Sequence, residues 1–227
     1  MNFYGVMSIL AAVVIVAGFG NTYPSHVMSG QPISPIIHLH AAVFLAWLVF
    51  FIAQTVLIRQ RKIKQHQQVG NAGMVLAGLM LVMGVMTTLT VVRLGHIGVP
   101  GVEFPDPEGF LWLNVDVLVV FGVLVAAGWV FRKKPQAHKR LMLMATIGGL
   151  MPPGISRLPF VAGHTPAIGV IVVLFVLTPL IHDLVTRRRI HPAYVFAFVV
   201  CIFGFPPVAS ALSTLPAWHR MAQAMIG

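Results

Sequence analysis

Acidic residues are the scarcest resource in this chain. Its 227 residues hold five Asp and Glu against fifteen Lys and Arg, and only 9% are charged. A soluble domain carries about 25% charged residues, so a water-soluble fold is excluded. Cysteine is scarcer still. Cys201 stands alone inside an apolar run, which rules out a disulfide framework and a cysteine-ligated metal centre. No phosphate-binding glycine loop is present.

What fills the space is hydrocarbon. Hydrophobic residues make up 58% of the chain and mean hydropathy is +0.89. A membrane-crossing helix takes about 20 apolar residues. Uncharged runs cover 1–58, 65–92, 158–182 and 190–218, and 109–131 and 141–156 add two more segments. The expectation is an all-α, polytopic membrane protein, one transmembrane domain over 1–227. Its seven helices are placed at 4–20, 36–58, 69–93, 109–131, 138–155, 166–186 and 192–213. Met1 to Gly20 has no basic stretch ahead of it and no small-residue cleavage site after it, so it reads as the first span rather than a signal peptide.

The formal charge of +10 does not mark a nucleic-acid binder, because of where the charges lie. Twelve of the fifteen cations fall in three short segments: Arg59 to Lys64, Arg132 to Arg140, and Arg187 to Arg189. Short basic loops stay on the cytoplasmic side. The N-terminus is therefore expected inside and the C-terminus outside, with Trp218 in the tail as an interfacial anchor. The basic loops could also meet anionic lipid heads. Residues 21–35 and 94–108 are expected as outer loops, the second carrying Glu103, Asp106 and Glu108.

In each basic segment a histidine follows the cations: His66, His138 and His191. His38 precedes His66 by 28 residues and His164 precedes His191 by 27, whereas Phe110 holds the matching place before His138. Duplication of a helical hairpin and convergence on basic juxtamembrane loops both account for the pattern.

Ionisable groups at membrane depth are costly and usually face the bundle interior with a partner. Two layers follow. The outer one holds His38, His40, Arg93, His96, Asn114, Asp116, Arg157 and His164, with Arg93 or Arg157 the expected partner of Asp116. The inner one holds Gln54, His66, His138, His182, Asp183 and His191. His38 and His40 lie about 200° apart around a helix, so the pair is not a bidentate metal site. His66 and His138 open helices, whose positive end disfavours imidazolium and leaves a neutral ring able to ligate. Asp183 could orient such a histidine or turn to Arg187. The twelve methionines read as bundle filler.

The segments HLHAAVFLAWLVFFIAQ, RKIKQHQQVG and AHKRLMLMATIGGLMPPGISRLP resemble a widespread set of bacterial seven-helix inner-membrane proteins without an assigned reaction, over roughly residues 36–160. More loosely, the layout is similar to membrane b-type cytochromes, heme A synthase and oxidase-assembly membrane proteins. That likeness implies haem held by paired histidines, His66 with His138 or alternatively His38 or His40 with His164. It also implies a redox role beside respiratory-chain components or quinone. Ser34-Pro-Ile-Ile-His38 resembles an element of the seven-helix ceramidase and progestin-receptor-like superfamily, which implies a zinc-dependent hydrolase with Asp116 as an acid. The late H-x-x-x-H pair of that superfamily is missing. A transporter, sensor or structural subunit without cofactor completes the expectations.

Overall fold

The computed structural model describes residues 3–28, 33–95, 107–202 and 206–227. Regular structure among them is helical throughout. The helices are α1 (Phe3–Met28), α2 (Pro35–Arg59), α3 (Ile63–Arg93), α4 (Pro107–Val130), α5 (Pro135–Ile155), α6 (Thr165–Arg187), α7 (Pro192–Ile202), α8 (Pro206–Ser213) and α9 (Pro216–Ile226). Proline punctuates the chain: α2, α4, α5, α7, α8 and α9 each open on one, where its missing N–H would have had no partner anyway.

Five helices are long and apolar enough to cross a membrane: Phe3–Ser25 within α1, then α2, α3, α4, and Pro166–Arg187 within α6. Of the seven expected, α5 and α7 are not among them. The first turns of α5 carry His138, Lys139 and Arg140, and α7 has only eleven residues.

The boundaries differ from expectation where polar residues continue a helix. α1 runs on to Met28 with Pro24 inside it, well into the expected loop at 21–35. The first basic loop shrinks to residues 60–62, with Arg61 at a left-handed φ of 58°. α3 thus starts six residues before the expected 69, because lysine and glutamine extend a helix as readily as leucine does. The expected continuous helix over 192–213 divides into α7 and α8. The tail forms α9, and its Trp218 is buried against Trp112 instead of reaching outward. His96, Glu103 and Asp106 lie outside the described residues.

α5 is the axis of the bundle. From Arg140 to Met151 it is buried almost without a break, the signature of a helix with neighbours on every side. Glycine makes that crowding possible. A Cβ on Gly149 would lie 2.9 Å from the Cα of Phe121 in α4, and one on Gly154 would lie 2.9 Å from the Cα of Ile15 in α1. Gly18 of α1 in turn faces the Gly154 carbonyl so closely that no Cβ fits. Close backbone approach through small residues is how helices associate where lipid removes the hydrophobic drive. Trp47 of α2 completes the core, edge-on to Phe121 at 5.0 Å with its Nε1–H donating to Thr146 Oγ1 at 3.4 Å. This packing brings the end of α2 and the first turns of α3 and α5 together at the end of the bundle that carries the basic segments.

Candidate functional site at the basic end

Two imidazoles meet there. His66 sits in the first turn of α3 and His138 in the first turn of α5, both half-buried, with ring centroids 6.1 Å apart and planes at 79°. Each ring is held through its Nδ1. His138 donates from Nδ1 to the carbonyl of Gly128 at 2.8 Å, near the end of α4. His66 is gripped by the buried Gln54 of α2. With the amide in the orientation its neighbours require, the nitrogen donates to the His66 carbonyl at 3.1 Å and the oxygen accepts from the Gly70 N–H at 3.3 Å. The same nitrogen donates to His66 Nδ1.

Those bonds set the tautomers. The two backbone groups fix which way the amide points, so His66 Nδ1 must be the acceptor. The proton of a neutral His66 is then on Nε2. His138, donating from Nδ1, keeps a lone pair on Nε2. One ring therefore presents a donor and the other an acceptor. A hydrogen bond from a ring nitrogen to a backbone carbonyl is also the usual device for orienting a histidine ligand.

The other expected members of this layer do a different job. His182 does not join the pair: it stacks on Phe3 at 3.8 Å, and its Nδ1 is buried without a partner among the described residues. Asp183 orients no ring. Its carboxylate is clamped by Arg140, Nε to Oδ2 at 2.9 Å and Nη2 to Oδ1 at 2.6 Å, with both side chains fully buried. Arg187, the duller expected partner, lies 3.6 Å away. Arg140 also donates to the carbonyl and side chain of Gln136, and its guanidinium lies over the ring of Tyr194. The sequence counted Arg140 among the topogenic cations; no signal in the basic run sets it apart from its neighbours.

His191, between α6 and α7, is tied to the same clamp. Its backbone N–H donates to Asp183 Oδ2 at 3.3 Å, and its Nδ1 accepts from the Ala193 N–H at 3.1 Å, capping α7. Burial first, then the charge of Arg140, pulls the His191 ring below the ordinary imidazole value, which keeps Nδ1 free to accept.

At the opposite end the expected outer layer is not gathered. His38 is exposed and hydrogen-bonded to the Tyr23 hydroxyl, whereas His40 is half-buried and stacked on Phe44 at 4.0 Å. His164 is exposed, its Nδ1 donating to the Ala162 carbonyl at 3.2 Å. Asp116 meets neither expected arginine. Arg93 donates to the carbonyls of Ile226 and Met225, closing the end of α9. Arg157 donates to Pro153 and lies over Phe19. Asn114 turns back to the Phe110 carbonyl at 2.8 Å. Sequence reading missed what binds α9: Glu108 accepts from His219 Nδ1 at 2.6 Å and from Gln223 at 3.1 Å, and its carbonyl accepts from Trp218 Nε1 at 3.0 Å.

A catalytic zinc takes three protein ligands, and among the described residues no three His, Cys, Asp or Glu converge to hold a metal ion. Comparison of the chain with protein-family models, curated proteins and solved structures found no match.

Proposed function

We propose that the chain is a multi-pass protein of the bacterial inner membrane that handles protons at its cytoplasmic end through His66 and His138. In this reading α5 and the α7–α8 segment cross the bilayer with the five long apolar helices, the N-terminus inside and the C-terminus outside. The positive-inside rule supports that orientation. One observation carries the proton assignment: Gln54 and Gly128 hold two neighbouring rings in opposite tautomers, His66 with its proton on Nε2 and His138 with a lone pair there. Imidazole is the side chain suited to such transfer near neutral pH.

The test is proton flux into proteoliposomes under an imposed gradient, followed with an internal pH dye. The wild type should exceed empty vesicles at least tenfold, and His66→Ala or His138→Ala should each return the flux to the empty-vesicle rate. Wild-type flux no faster than that of empty vesicles overturns the assignment.

A second reading has its own support. Metal–nitrogen bonds of about 2 Å would set two imidazoles on one ion with centroids about 6 Å apart, close to the spacing here. His138 fits a haem iron through its oriented Nε2. His66 does not fit in the tautomer that Gln54 imposes, since its Nε2 carries the proton. Haem, with electron transfer or oxidase assembly as its consequence, therefore stands second. A haem absorption band in the purified protein, lost in both His66→Ala and His138→Ala, would reverse that order.

A further inference from the structure

The basic end carries far more charge than it neutralises. Twelve of the fifteen cations gather there, against Asp183. Glu108 opens α4 at the opposite end, and Asp116 lies in the first half of that helix. Glu103 and Asp106 belong to the stretch of chain that joins the far ends of α3 and α4. Arg140 takes up the Asp183 charge, since both are fully buried and bonded at 2.6 and 2.9 Å. Arg187 stands 3.6 Å from the same carboxylate and is left as surplus charge, with 42% of its side-chain surface exposed. A guanidinium has five N–H donors in a fork that fits phosphate oxygens. Arg187 gives one to Gln136 Oε1 at 3.3 Å.

Lys139 adds a second cation to the same place. It follows Gln136 on α5 by three residues, on the same face, so the bond to Gln136 draws Arg187 towards it. The half-buried Lys139 holds its Nζ 4.4 Å over the Tyr4 ring of α1. Tyr4 meets Phe3 edge-on at 5.6 Å, and Phe3 stacks on His182 of α6 at 3.8 Å. Tyrosine favours headgroup depth, where a bilayer turns from hydrocarbon to phosphate. Apolar surface adjoins the cations: Leu184, one turn before Arg187 on α6, and Val6 and Ile9 on α1 are exposed. Two cations beside exposed hydrocarbon complement a phosphate that carries acyl chains, whereas a soluble anion would use the charges alone. We infer that the basic ends of α1, α5 and α6 form a binding site for an anionic phospholipid, with Arg187 and Lys139 on its phosphate and its chains along α1 and α6. The site requires the chain to sit in a bilayer and is independent of the histidine pair.

The experiment uses the full chain in dodecyl maltoside and reads lipid binding by native mass spectrometry. Dioleoyl phosphatidylglycerol is the probe. Dioleoyl phosphatidylcholine is the chain-matched lipid without net charge, and glycerol phosphate is a headgroup without chains. Phosphatidylglycerol should bind at least tenfold more tightly than phosphatidylcholine, and a hundredfold excess of glycerol phosphate should not displace it. Lys139→Gln with Arg187→Gln, checked for unchanged helicity and elution, should weaken phosphatidylglycerol binding at least tenfold. Lys139→Gln alone, which leaves the groups around Asp183 in place, should weaken it at least threefold. Lys62→Gln with Lys64→Gln removes as much charge from the segment between α2 and α3 and should change it less than threefold. Equal affinity for the two lipids, displacement by glycerol phosphate, unchanged affinity in folded Lys139→Gln, or an equal loss in the Lys62 and Lys64 variant would each overturn the proposal.

Discussion

The two ends of the bundle hold polar side chains in opposite ways. At the basic end they are interlocked: Gln54 holds His66, Gly128 holds His138, and Arg140 clamps Asp183, which in turn receives His191. At the other end they are dispersed. His38 bonds Tyr23 of α1, His40 stacks on Phe44 of its own helix and His164 bonds the Ala162 carbonyl, and Asp116 meets no partner through Oδ2 among the described residues. The difference teaches that histidine number and depth do not make a site. What makes one is two rings brought side by side, each fixed by a side chain or carbonyl on another helix.

The sharpest way to break the contrast is to remove half of the buried ion pair. Arg140→Leu or Asp183→Leu alone strands a charge and should cost about 3–5 kcal/mol, whereas the double variant Arg140→Met with Asp183→Leu should recover most of it. Thermal unfolding in detergent reads both. A double variant no more stable than either single one would show that the clamp does more than cancel charge.

Packing at the opposite end should be the next most sensitive feature. Gly18→Val drives side-chain atoms into the Gly154 carbonyl, and overpacking of this kind costs about 1–3 kcal/mol or more. Gly20, which has open space around it, is the matched control: Gly20→Ala should leave the melting temperature unchanged or slightly raised.

A paired comparison of one polar group from each end comes third. Gln54→Leu leaves His66 Nδ1 without its donor and should destabilise by about 1–2 kcal/mol. His40→Phe removes an Nδ1 that already lacks a partner together with the ring's hydrogen bond to the Met83 backbone, so it should cost less than Gln54→Leu. Equal losses in unfolding midpoint would erase the distinction between the two ends.

The smallest effect concerns pH. The folded state holds His191 below its ordinary value of 6.5, so the unfolded chain binds the extra proton first. The contribution of His191 is complete above about pH 6.5 and is lost as the pH falls towards the folded value. Neighbouring Asp183 acts in the other direction, and Arg187 and Arg189 in the same one. The wild type should melt at a lower temperature at pH 5.5 than at pH 7.5. His191→Asn, which can still cap α7, should narrow that gap.

Much of this was legible in advance. Uncharged runs separated by basic segments specify membrane helices and an end-to-end polarity, and His66 and His138 were expected at one level because each follows a basic segment. The misreadings have a common cause. Arg140 looks like any other cation in its loop until α5 is rotated against α6, 43 residues on. His182 and Asp183 are neighbours in the chain, yet they point to different helices and end in different partners. Helix ends were misplaced at α1 and α3 because hydropathy marks where lipid stops, while the backbone hydrogen bonds that end a helix follow a different rule.

Composition and charge placement alone determined that the chain is helical with runs long and apolar enough to cross a membrane, and where its cations gather, since the cost of exposing charge to lipid acts residue by residue. Only the tertiary structure decided which polar groups meet. Pairing depends on the rotation and depth of each helix, and those are set by glycines and aromatic rings packing between distant segments, such as Gly149 against Phe121 and Gly18 against Gly154.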